Sequence, residues 1–122
     1  ATPFKHDVQI FGPTGHNVIE RAMFDDGAMV NAINHRFYQQ HQTLFGCLKP
    51  SNKRLRMADG TITKPTGRWE GQINIRGITA VDSFEIFQSK DRWNVLIGKP
   101  LKTKLRAIHH YEKDEIQIGG EG

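Results

Sequence analysis

Short alternating strands separated by turn residues leave this chain few folds to choose from. "HDVQIF" (6–11) and "NVIERAMF" (17–24) read as two strands, and "GPTGH" between them supplies the turn of a hairpin. "QINIRGITAVDSFEIF" (72–87) alternates with period two about a turn near Arg76-Gly77. Ile73 and Ile75 share one of its faces, and Phe84 and Ile86 share another. "WNVLIG" (93–98) is a short continuous apolar run, the pattern of a strand buried on both sides. "KRLRMADGTITKPTGRWEG" (53–71) is extended chain folding back at Ala58-Asp59-Gly60, where Asp-Gly is a strong hairpin signal. "DEIQI" near the end is one more alternating strand.

Helical periodicity is confined to two places. Over "NAINHRFYQQHQTLF" (31–45), Ile33, Phe37, His41 and Leu44 fall on one helical face, and Gly46 stands where a helix ends. His41 on that face fits a core-edge histidine with a hydrogen-bond partner. Pro100 opens a second short helix, with Leu101 and Leu105 on one face. A chain of 122 residues has room for one core, so residues 1–122 make one mostly-β domain. The opening Ala-Thr-Pro and the closing "GGEG" fit a domain cut from something longer.

Several chemistries lack their parts. No G-x-S-x-G elbow occurs, and Cys47, the single cysteine, has no cysteine-protease context. One cysteine forms no internal disulfide and no multi-thiolate zinc site, which favours a reducing intracellular setting. The six histidines are scattered without H-E-x-x-H, and "GPTG" lacks the length and lysine of a phosphate loop. No metal or cofactor is expected. No apolar run approaches the roughly 18 residues of a membrane span, so no membrane partner is expected either. The net charge is +4, concentrated in Lys49, Lys53, Arg54, Arg56 and in Lys99, Lys102, Lys104, Arg106. Such clusters are solvated faces or contacts for an anionic partner. Without aromatic residues interleaved for stacking, nucleic acid is not expected as a direct ligand.

What remains is the acidic pair in "RAMFDDGAMVNAI" (21–33). An acidic turn or helix start accounts for one aspartate. It does not account for an apolar strand carrying Asp25 and Asp26 directly into Gly27-Ala28, where glycine permits close backbone approach. "NVLIGKP" repeats the plan of "AMFDDGA", an apolar strand ending at a glycine and leading into a helix, but without the acid.

Phe24-Asp25-Asp26-Gly27-Ala28 resembles the apolar–Asp–Ser/Thr–Gly–Ala signature of retropepsin-like aspartic proteases, especially those of gypsy-type, fungal LTR retrotransposons. "RLRMADGT" resembles their flap, "VLIGKPL" the segment leading into their last helix, and "HHYEKDEIQI" their final strand. The resemblance implies a closed, mostly-β pepsin-half barrel with one or two short helices. It implies a homodimeric aspartic endopeptidase with Asp25 as the catalytic residue and Asp26, Gly27 and Ala28 supporting it. Two Asp25 carboxyls brought together share a proton and titrate as a unit. The ionised one activates water, and the other polarises the scissile carbonyl of a peptide.

Ala58, Asp59, Gly60 and Thr61 match the flap, while Met29, Val30 and Ile97 match substrate-pocket positions; a core place suits Val30 and Ile97 equally. The substrate would be a Gag-Pol-type polyprotein, processed in the cytoplasm or a virus-like particle. Asp26 departs from the family's Ser or Thr, so crowding of acids at the dimer axis is expected to raise a carboxyl pKa. Met29 and Lys99 also differ from the acid and Arg of retroviral members. A module that keeps the fold but binds rather than cuts is the alternative.

Overall fold

The computed structural model describes residues 4–57 and 59–106. β1 (Phe4–Phe11) and β2 (Asn17–Phe24) pair antiparallel along their whole length, from Phe4 opposite Phe24 to Phe11 opposite Asn17. The turn between them closes through the Gly12 N–H, which donates to the His16 carbonyl at 2.8 Å. β6 (Gly67–Ile75) and β7 (Ile78–Phe87) form the second long hairpin. Its two-residue turn places Arg76 at φ 53 and Gly77 at φ 81, the left-handed pair that matches the twist of the strands. β3 (Ala32–Asn34) and β8 (Val95–Ile97) complete a closed barrel in the order β1-β2-β8-β3-β7-β6. β8 runs parallel to β2 and antiparallel to β3, and β3 runs parallel to β7.

The expected helix over 31–45 begins later than its periodicity predicts. Residues 32–34 are strand; α1 (His35–Gln40) and α2 (Gln42–Phe45) follow. The reason is burial on two sides. Ile33 fills the barrel, while Ala32 packs in a separate cluster with Phe87 and Leu96. Three apolar-flanked residues carry too little pattern to show a strand, and Ile33 happens to fall in phase with Phe37 and Leu44. His41 is half-buried, with its Nδ1 3.0 Å from the Phe37 carbonyl and its ring 4.3 Å from the Phe37 ring.

The second expected helix is present at residues 99–106, here α3, with Leu101 fully buried. The repeat of "AMFDDGA" in "NVLIGKP" is thus partial: Gly98 leads straight into α3, whereas Gly27 leads through bends into β3. The "DEIQI" strand lies outside the described residues.

The main core fills the barrel with Val8, Ile10, Phe24, Ile33, Ile73, Phe84, Ile86, Val95 and Ile97. Ile73, Ile75, Phe84 and Ile86 all enter this one core, because the closed sheet turns their faces toward a common interior. Phe45 and Trp69 plug one end, edge to face at 5.0 Å, with the Trp69 indole N–H donating to the Phe45 carbonyl. The smaller cluster gathers Met23, Ala28, Leu55, Met57 and Trp93 around Ala32, Phe87 and Leu96 on the outer side of β8 and β3. β4 (Leu55–Arg56) and β5 (Ile62–Thr63) form a separate two-stranded hairpin over this cluster.

Candidate active site

Asp25 leaves β2 where the strand meets β8. Its backbone N–H donates to the Ile97 carbonyl at 3.0 Å, and its own carbonyl accepts from the Ala28 N–H at 3.2 Å. Oδ1 of its side chain accepts from the Gly27 N–H at 2.9 Å, which fixes the half-buried carboxylate over the turn. The turn is then tied to the start of α3, since the Lys99 N–H donates to the Ala28 carbonyl at 2.8 Å. Gly98 is needed for this approach: a Cβ there would lie 2.1 Å from the Val30 carbonyl oxygen.

Asn31 locks the two segments together. Buried to 2% exposure, its side-chain oxygen accepts from the N–H groups of Gly98 at 3.1 Å and Leu101 at 3.2 Å. Its amide nitrogen donates to the Ser83 carbonyl at 3.1 Å, and its own carbonyl accepts from the Glu85 N–H. Sequence patterning gives no sign of this role, because a buried asparagine bonded to backbone has no periodic signature.

The Asp25 turn opens on a groove of about 860 Å³ between residues 27–30 and residues 53–57. Met23, Phe87, Trp93 and Leu96 line its apolar side, with Trp93 edge to face on Phe87 at 5.5 Å. Lys53, Arg54, Arg56 and Arg92 supply its charge, and Asp25 is its one carboxylate among the described residues. Of the residues singled out in the sequence, Asp25, Gly27, Ala28, Met29 and Val30 line this groove.

Ile97 does not line the groove: its side chain is fully buried in the barrel core. Of the two places open to it in the sequence, Ile97 thus takes the core, and strand alternation decides it, because Leu96 points to the groove and its neighbours Val95 and Ile97 point inward. The same parity exposes Met23, which sits beside Leu96 in the β2–β8 pairing and went unnoticed in the sequence.

The fold-back expected at 58–60 is the β4–β5 hairpin, although Ala58 itself lies outside the described residues. The Met57 N–H donates to the Thr61 carbonyl at 2.7 Å, and the Gly60 N–H to the Met57 carbonyl at 2.9 Å. The Asp59 carboxylate accepts from both the hydroxyl and the N–H of Thr61, and these bonds hold its pKa below the usual value. Gly60 adopts φ +88, a conformation that costs an L residue about 1 kcal/mol. Gly60→Ala is therefore expected to lower stability by about 1 kcal/mol in urea unfolding, with little change at the barrel.

Asp26 points away from the groove. Its Oδ1 lies 2.6 Å from Lys102 Nζ on α3, and its side chain is exposed. The hydrogen bond and charge of Lys102 hold the Asp26 pKa below 3.8, with Arg106 adding to the effect. Within one chain the shift thus runs opposite to the rise expected from crowded acids. A carboxyl lowered on folding adds stability above its unfolded pKa and loses it as pH falls through the folded one. Lys102→Met is accordingly expected to return Asp26 toward 3.8, seen as an upward-shifted carboxyl titration by NMR, with this pair's acid-side loss of stability abolished.

Among the described residues no group of three or more His, Cys, Asp or Glu side chains is placed to hold a metal ion, and no helix is long and apolar enough to cross a membrane.

No family model matches the sequence, and no curated protein matches it. Solved structures do match. The retroviral protease-like domain of Ddi1 from Leishmania major aligns with a TM-score of 0.58 at 18% identity, over 85% of this chain and 73% of that one. A retropepsin-like aspartic protease from Rickettsia conorii aligns with a TM-score of 0.45 at 16% identity, over 83% and 81%. At such identities the likeness is one of fold: this chain is a closed, mostly-β barrel of the retropepsin-like type.

Proposed function

We propose that this protein is an aspartic endopeptidase that works as a homodimer, each chain giving Asp25 to one shared site. One observation carries the reading. In a barrel of this fold, the turn after β2 sets one of its two carboxylates, Asp25, at the mouth of an apolar groove and the other, Asp26, on Lys102. Peptide hydrolysis by carboxyls needs a base for water and an acid for the carbonyl oxygen, and one groove supplies one group. A two-fold axis through the Asp25 turn supplies the second, and the close pair holds one proton between them. No metal or cofactor takes part.

The β4–β5 hairpin, with Asp59, Gly60 and Thr61 at its tip, acts as a flap over an extended peptide and keeps bulk water from the reacting bond. Asp26, in the place of the family's hydroxyl, adds two acids to the dimer. Its ion pair with Lys102 offsets that charge within each chain. The substrate we assign is a retrotransposon polyprotein of Gag-Pol type, cut inside the cell or its virus-like particle.

The test is cleavage of a peptide library by a dimer verified by sedimentation, across about pH 3–7, the range in which a carboxyl pair holds one proton. Acid-side cleavage blocked by a statine-type inhibitor is expected. A dimer that cuts nothing in this window, or a strict monomer, would overturn the reading. The Asp26–Lys102 pair also favours a second reading: a side chain engaged with α3 does not give the hydroxyl bond of the family. On that reading the domain retains the groove as a binding module, and the same assay returns a dimer that binds peptide without cutting it.

A further inference from the structure

The groove has a chemical bias beyond its single acid. Four cations border it: Lys53, Arg54 and Arg56 from the β4 side and Arg92 from the segment before β8, all exposed. Several basic side chains elsewhere have found acids: Arg21 pairs with Asp7, Arg36 with Asp91, Arg68 with Glu70, and Lys104 with Asp82. None of the four groove cations has a carboxylate within ion-pair distance among the described residues. Among the described residues the Arg92 side chain bonds a carbonyl alone, donating from Nε to Ser89 at 3.3 Å.

Between the cations, the apolar surface of Met23, Leu55, Met57, Phe87, Trp93 and Leu96 is continuous. Met29 extends it, 71% exposed beside Asp25. Unpaired cations around an apolar floor are complementary to a chain with apolar anchors and acidic flanks.

We infer that this groove selects acidic peptides: segments whose apolar residues seat on the Met23–Phe87–Trp93–Leu96 surface while flanking Asp or Glu side chains meet Lys53, Arg54, Arg56 and Arg92. The inference rests on reading the groove as the peptide site, and it names that peptide's class. A nucleic acid fits less well. Its phosphates would satisfy the cations but would run past the Asp25 carboxylate, and its sugars and phosphates gain nothing from the apolar floor.

The experiment measures binding apart from cutting. The 122-residue protein carrying Asp25→Asn is titrated with three fluorescein-labelled peptides of one length. Each has the same central Leu-Phe, flanked by Glu, by Gln or by Lys, and a labelled single-stranded oligonucleotide is the fourth probe. Exposed ion pairs of this kind sum to about a tenfold preference at low salt. The Glu peptide is therefore expected to bind about tenfold tighter than the Gln peptide, and the Lys peptide weakest.

That order should collapse in 0.5 M salt, because a Debye length of only a few ångströms screens the rim. It should reverse in Arg54→Glu/Arg56→Glu, whose sites are exposed and whose fold is checked by circular dichroism. Equal affinities for the three peptides, no peptide binding at all, or an oligonucleotide that outbinds the Glu peptide would each overturn the inference. Failure of the endopeptidase reading looks different: unmodified protein then shows the same order of affinities and cuts none of the peptides.

Discussion

Asp25→Asn is expected to reduce peptide cleavage by about 10³-fold or more while leaving the fold as it is. The two halves of this result have separate causes. The structural bond of the side chain is the one from the Gly27 N–H to Oδ1, and an asparagine carbonyl oxygen accepts it equally well. The backbone bond from residue 25 to the Ile97 carbonyl is untouched. Thermal unfolding should then move by no more than about 2 °C, well under the shift of a 1 kcal/mol loss in a domain of this size. The chemistry, by contrast, loses its base, since a neutral amide does not take a proton from water. Full activity in the variant would remove Asp25 from the reaction. Loss of folding together with activity would show that the carboxylate has a structural task beyond its bond to Gly27.

Asn31→Ala is expected to be the most destabilising of the substitutions considered. The side chain leaves two buried N–H groups, those of Gly98 and Leu101, without their acceptor and the Ser83 carbonyl without its donor. An unsatisfied buried group costs about 1–3 kcal/mol, so three of them with partial relaxation come to about 3–5 kcal/mol. In a domain stabilised by about 5–15 kcal/mol in all, that is a large share, and it lowers Tm by about 10 °C or more. Calorimetry reads it directly. Cleavage by the surviving folded fraction should fall as well, because Asn31 holds the turn that carries Asp25 against α3. A Tm within about 3 °C of the parent would mean that the network around Asn31 is not formed as described.

The sequence makes some parts of this molecule plain and hides others, for physical reasons. The two long hairpins announce themselves through period-two alternation and turn residues, and their strands end within two residues of the expected bounds at Phe11, Asn17, Phe24 and Phe87. β3 is hidden because burial on both sides erases alternation, and three residues fit any period. Asp25 is legible because a carboxylate ending an apolar strand contradicts its surroundings. The groove floor is not: Met23 and Leu96 are apolar residues in apolar strands, and only the pairing of β2 with β8 shows which side they face. Ile97, for which pocket and core were equally open in the sequence, takes the core by the same parity. Asn31 and the Asp26–Lys102 pair depend on segments far apart in the chain, so no local pattern marks them.

The tie between the Asp25 turn and residues 97–101 also sets an order of events in folding. Asp25 is made early in the chain, yet the groups that hold its turn, the Ile97 carbonyl and the Gly98, Lys99 and Leu101 N–H groups, come near the end. Contacts of such long sequence separation form late, because the chain between must first be ordered. A growing chain therefore lacks the geometry of this site until α3 has been synthesised and has docked, however early its acid appears.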